Sequence, residues 1–196
     1  STTPELPDQD TLDLLREVSL TFLYRLLFIM KAEAQNLLPM VNSHGARTDY
    51  NEMVSTRAIY ARLQRQPESQ RCRFSNIYHE LLRLFDSIEA GDPQFNIPAY
   101  DGGLFDRDKH RELASWKLLD QSLYEVLLNL LYIRGTDEPV PYGDLDVRDL
   151  GDIYEGLLEQ RLIARSSDPP SLHLQNQKGE RKASGSYFTP DDLVDH

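Results

Sequence analysis

The sequence predicts a mostly α protein: an irregular helical bundle of about five helices with a short β-hairpin and an extended C-terminal segment. Three observations predict it. Apolar residues recur at intervals of three and four through most of the first 160 positions. Pro39, Pro67, Gly91, Gly135, Pro139 and Pro141 punctuate those stretches. The period shortens to two only once, around residues 162–175. With 196 residues, 40% of them hydrophobic, the chain is long enough to bury a core.

Residues 1–10 form a polar lead with no expected structure. Asp10 or Thr11 caps a first helix reaching to about Leu38, with Leu12, Leu15, Val18, Phe22, Leu26, Ile29 and Met30 on one stripe. Leu20, Leu23, Leu27 and Phe28 widen that stripe nearly all round, which marks a central helix covered on several sides. Pro39 ends it. A second helix is expected over residues 50–64, burying Met53, Ile59, Tyr60 and Leu63. A third spans residues 71–90 with Phe74, Ile77, Tyr78, Leu81, Leu82, Phe85 and Ile88 inward, closed by Gly91. The irregular segment that follows contains Asp101-Gly102-Gly103-Leu104-Phe105-Asp106, a tight turn anchored by Leu104 and Phe105.

A fourth helical region covers residues 113–133 and ends at Gly135. A fifth, residues 149–159, places Leu150, Ile153, Tyr154, Leu157 and Leu158 on one side. Residues 162–165 and 172–175 form the hairpin, and residues 176–184 are a polar, mobile link. At the end, Thr189 is suited to cap a helix opening at Pro190 with Asp191 and Asp192 in its first turn. The expected division is a helical domain over 1–160, hairpin and linker over 161–180, and the start of another domain over 181–196. A chain beginning at Ser1 and stopping a turn into a helix reads as a piece of something longer.

The formal net charge of -11 argues against this stretch being the main grip on nucleic acid. A single cysteine, Cys72, makes neither an internal disulfide nor a zinc site, and suits a reducing cytoplasm. The apolar run at residues 22–30 is interrupted by Arg25 and followed by Lys31 and Glu33, too short and too charged to span a membrane. No signal peptide is expected before it.

Two catalytic patterns are tempting. Asp168-Pro169-Pro170-Ser171 approaches the Asn/Asp-Pro-Pro-aromatic sequence that holds a flipped base, but Ser171 cannot stack, and a hairpin tip favours Asp and Pro anyway. Glu180-Arg181-Lys182 after Asp168 has the residue types of a magnesium nuclease without the packed strands that chemistry needs. His44, His79, His110, His173 and His196 are scattered without metal-ligand spacing. No phosphate-binding glycine loop is present. The closing stretch, residues 181–190, differs. Tyr187-Phe188-Thr189-Pro190 offers aromatic faces, a hydroxyl and free amides at a helix start, suited to a small amphipathic ligand or to simple capping.

Arg181-Lys182-x-x-Gly185-x-Tyr187-Phe188-Thr189-Pro190 resembles the N-terminal Gly-x-aromatic-aromatic-Thr-Pro motif of gamma-class adenine-N6 DNA methyltransferases. Asp149-Leu150-Gly151-Asp152-Ile153-Tyr154-Glu155-Gly156-Leu157-Leu158-Glu159 resembles the helix shortly before it in those proteins. The Leu-rich residues 22–39, with Lys31-Ala32-Glu33-Ala34, and the Gly102-Gly103-Leu104-Phe105-Asp106 loop are similar to the helical connector of fused restriction–modification enzymes and phage-exclusion methyltransferases. All four segments occur in the family's order.

The resemblance implies a piece of a phage-defence or restriction–modification DNA methyltransferase, with S-adenosylmethionine as cofactor. Gly185, Tyr187, Phe188, Thr189 and Pro190 would form the first edge of its pocket, Thr189 facing the methionine part. Phe188 departs from the more usual Tyr and removes a hydroxyl. The glycine loop and the catalytic Asn/Asp-Pro-Pro-aromatic are expected beyond His196, so this piece alone is expected to be inactive and to have no catalytic residue. Its partners would be the remainder of the polypeptide and, through it, DNA, with no membrane. The competing expectation is a self-contained helical protein-interaction module with a disordered tail.

Overall fold

A computed structural model describes residues 6–100, 102–166 and 171–176. The protein is mostly α, with one two-stranded antiparallel hairpin among the described residues. The chain divides into two compact units, one of Val18–Asp146, the other of Ser1–Glu17 with Val147–His196. No helix among the described residues is long and apolar enough to cross a membrane. The expectations for residues 1–5, for the hairpin tip at 167–170 and for everything after Asn176 lie outside the described residues.

Helix α1, Gln9–Ala34, is the axis of the first unit from Val18 onward. Leu26 and Ile29 are fully buried, as a helix apolar nearly all round requires. Its end comes earlier than Pro39: Asn36 takes a left-handed conformation (φ 54°), and the Leu37 amide bonds back to the Ala32 carbonyl at 2.9 Å. Asparagine tolerates that conformation and closes the helix.

The expected helix over 50–64 is two pieces. Tyr50–Val54 is a π-helical turn, and α2 is Thr56–Arg65. Between them Ser55 is extended, its hydroxyl accepting from the Ala58 amide at 3.2 Å. A serine that caps competes with helix continuation, and here the cap wins. Met53 is consequently 58% exposed rather than buried, while Ile59, Tyr60 and Leu63 face inward as expected.

A short helix, α3, covers Glu68–Arg71, and α4 is Asn76–Ala90. The expected start of the third helix at 71 fails: the amides of Cys72, Arg73 and Phe74 bond back to α3, and the Phe74 carbonyl is taken by another element. The Phe74 carbonyl accepts from the Asp120 amide at 2.8 Å, and Asp120 Oδ1 accepts from the Ile77 amide at 3.0 Å. Asp120 therefore caps α4 from another element, and Phe74 is left 50% exposed. Along α4, Ile77, Tyr78, Leu81, Leu84, Phe85 and Ile88 keep helical spacing; Leu84 takes the deep position and Leu82 is only partly buried. Gly91 ends the helix at φ 80°, where a Cβ would stand 3.1 Å from the Ala99 amide nitrogen.

The fourth region also breaks. Helix α5, Glu112–Ser115, is followed by extended residues 116–119 and then α6, Asp120–Leu131. Leu123, Leu127 and Leu131 bury one side of α6, which packs against α2, α3 and α4. Rings bind the centre: Phe22 stacks on Tyr78 with centroids 5.5 Å apart and meets Phe85 edge-on at 5.6 Å.

In the second unit, α7, Val147–Leu158, packs on strand β1, Gln160–Arg165. Strand β2, Ser171–Asn176, pairs with it from Gln160↔Asn176 to Arg165↔Ser171. The register sets Leu162 beside Leu174 and Ala164 beside Leu172 on one face. Within this unit the Arg16 guanidinium donates to the Leu158 and Gln160 carbonyls, both at 2.5 Å. The contact satisfies the Leu158 carbonyl at the end of α7 and ties it to the first residue of β1.

Candidate functional site

The residues singled out for cofactor binding, Gly185, Tyr187, Phe188, Thr189 and Pro190, lie outside the described residues. So do Asp168-Pro169-Pro170 and Glu180-Arg181-Lys182. Among the described residues no group of three or more His, Cys, Asp or Glu side chains is arranged to hold a metal ion. Cys72 is a free, exposed thiol.

What the described residues do assemble is a set of polar clasps thrown out from α1. Arg25, 4% exposed, donates through Nε to the Leu104 carbonyl at 2.8 Å and sits over the rings of Phe85 and Phe105, 5.2 and 5.6 Å from their centroids. Burial lowers its pKa, opposed by Glu89 and Asp86, yet guanidinium stays charged at any ordinary pH. The clasp fixes the Gly102–Asp106 turn, whose Phe105 is buried while its Leu104 packs at the core's edge. Lys31, in the last turn of α1, donates through Nζ to the carbonyls of Gly143, at 3.1 Å, and Leu145.

Glu33 makes the third clasp. Its Oε1 accepts from the Tyr50 hydroxyl and the Thr56 amide, both at 2.9 Å, and its Oε2 accepts from the Thr56 hydroxyl at 2.5 Å. One carboxylate thus holds the π-helical turn and the first residue of α2. Burial pushes the Glu33 pKa up, opposed by the hydrogen bonds of Thr56 and Tyr50 and by nearby Arg57. Burial, with Glu33 beside it, also raises the Tyr50 hydroxyl.

Beside this carboxylate is a partly open cavity of about 180 Å³. Met30, Met40, Leu131 and Val140 supply its apolar wall; Glu33, Thr56, Arg57 and Tyr142 supply polar groups. Tyr142 is buried, its hydroxyl donating to the Leu130 carbonyl at 2.8 Å, and burial pushes its pKa up to about 12. Sequence reading missed Glu33 and Arg25 as organising residues. The available signal was a charged side chain on a helix otherwise apolar nearly all round.

Compared with known protein families, with curated proteins and with solved structures, the chain gives no match in any of the three.

Proposed function

We propose that this chain is the helical connector of a DNA adenine-N6 methyltransferase of the restriction–modification or phage-exclusion kind, working in the cytoplasm. Its Gly185, Tyr187, Phe188, Thr189 and Pro190 would supply the first edge of the S-adenosylmethionine pocket, and the catalytic residues would come from elsewhere in the polypeptide. The observation that carries the reading is where the clasps fall. The two connector-like segments of the sequence, Lys31-Ala32-Glu33-Ala34 and Gly102-Gly103-Leu104-Phe105-Asp106, are places where α1 grips neighbouring segments by polar contacts, those of Glu33 buried, that of Arg25 part-buried and that of Lys31 with Gly143 exposed. That is the chemistry of a rigid spacer. A net charge of -11 supports a role in positioning the catalytic domain over one in gripping DNA.

The test is methyl transfer by the polypeptide encoded by the whole open reading frame, using labelled S-adenosylmethionine and adenine-containing duplex DNA. Transfer to adenine N6 is expected. Thr189→Ala should weaken cofactor binding about tenfold while leaving the far-ultraviolet circular dichroism unchanged. The 196-residue chain alone should bind no S-adenosylmethionine in calorimetry. An open reading frame that stops at His196, or micromolar cofactor binding by the short chain, contradicts the proposal and leaves a helical interaction module.

A further inference from the structure

The cavity beside Glu33 has a division of polarity that none of the preceding roles uses. A carboxylate offers about four acceptor positions, and three donors occupy Glu33, so Oε2 keeps one. Thr56 gives its hydroxyl proton to that same oxygen, and Tyr142 gives its own to Leu130, so both hydroxyl oxygens are left with lone pairs only. The buried polar groups of the wall can therefore only accept. Arg57 is opposite in kind: it is exposed, and its guanidinium makes no hydrogen bond or ion pair with the described residues. Ala34 and Arg57 are the exposed members of the lining and mark its mouth. Met30, Met40, Leu131 and Val140 make the remaining surface apolar.

A donor-only group inside, an acceptor at the mouth and an aliphatic body between them describe an α-amino acid. We infer that this cavity binds a free amino acid with an aliphatic side chain. Its ammonium donates to Glu33 Oε2, its side chain lies on Met30, Met40, Leu131 and Val140, and its carboxylate faces Arg57. A volume of about 180 Å³ suits that size. It is below the roughly 300 Å³ at which sites for drug-sized ligands begin, and it excludes a nucleotide. Both methionines adapt their shape to the occupant at little cost.

The chain's methionines supply the readout. Of its three, Met30 and Met40 line the cavity and Met53 does not. With the methionine methyl groups carbon-13 labelled, titration with L-leucine should shift the Met30 and Met40 signals saturably and leave Met53 in place. 3-Methylbutylamine, lacking the carboxylate, and 4-methylpentanoate, lacking the ammonium, should each bind about tenfold more weakly. Arg57→Gln, at an exposed side chain, should weaken leucine by about the same factor and leave 3-methylbutylamine unchanged. Absence of any shift at Met30 and Met40 at tens of millimolar leucine overturns the inference. Equal binding of the three probes, or equal shifts at all three methionines, overturns it as well.

Discussion

Leu81 and Leu174 are the same side chain in two different settings. Leu81, on α4, is fully buried in a cluster that includes Phe22, Tyr78 and Phe85. Leu174, on β2, is 65% exposed, and its cross-strand neighbour Leu162 is half-buried. The contrast extends to the regions around them. Val18–Asp146 buries its helices on one another and ties its segments together with the charged side chains of Arg25, Lys31 and Glu33. The unit containing α7 and the hairpin leaves Ile153, Tyr154, Leu172 and Leu174 substantially exposed. A two-stranded hairpin is marginal by itself, so its order depends on α7 and on the Arg16 clasp. The fold therefore has a self-supporting part and a part with little burial to stabilise it.

The largest expected effect follows from that contrast. Leu81→Ala should lower the unfolding free energy by about 3 kcal/mol in urea titration, the transfer and cavity cost of a tightly packed leucine. Next is Arg25→Ala. It removes the donor to the Leu104 carbonyl and the charge stacked over Phe85 and Phe105, and should cost about 2 kcal/mol. A cost below about 0.5 kcal/mol would mean that the Gly102–Asp106 turn is held by Phe105 alone.

A smaller, pH-dependent effect belongs to Glu33. Burial raises its folded-state pKa above the ordinary 4.5, so folding favours the protonated carboxyl; Tyr50, Thr56 and Arg57 oppose this without reversing it. Its contribution is fully present below 4.5 and is lost as pH rises through the folded-state value. The stability difference between wild type and Glu33→Gln should accordingly move toward wild type as pH falls from neutral to 4.5, then level off. A difference that moves the other way would show a carboxylate stabilised in its charged form. The smallest effect is Leu174→Ala, expected within about 0.5 kcal/mol because water already reaches most of the side chain.

Much of the fold was legible in the sequence. The all-round apolar pattern of α1, the spacing of α4, Gly91 as a terminator and the alternation at residues 162–175 each led to an element that forms. The helix interruptions were not legible, because their causes are distant in sequence. Asp120 caps α4 from 43 positions beyond its partner Ile77, and Glu33 takes the Thr56 amide from 23 positions before it. Apolar periodicity cannot register a hydrogen bond of that kind, so Met53 and Phe74 were placed inside and are exposed. Of the candidate site, the sequence singles out the closing motif, which falls outside the described residues. The clasps of Arg25, Lys31 and Glu33 were visible only as charges out of place.

Native-state hydrogen exchange on the 196-residue chain tests the two-part account most directly. Amides in the middle of α4 and α6 should exchange only through global unfolding, so that Leu81→Ala lowers their opening free energy by the full amount it costs in urea. Amides of α7, β1 and β2 should open at lower free energy and be insensitive to that substitution. If the α7 and hairpin amides are as well protected as those of α4, and fall with them when Leu81 is truncated, the chain is one cooperative unit and the account is contradicted.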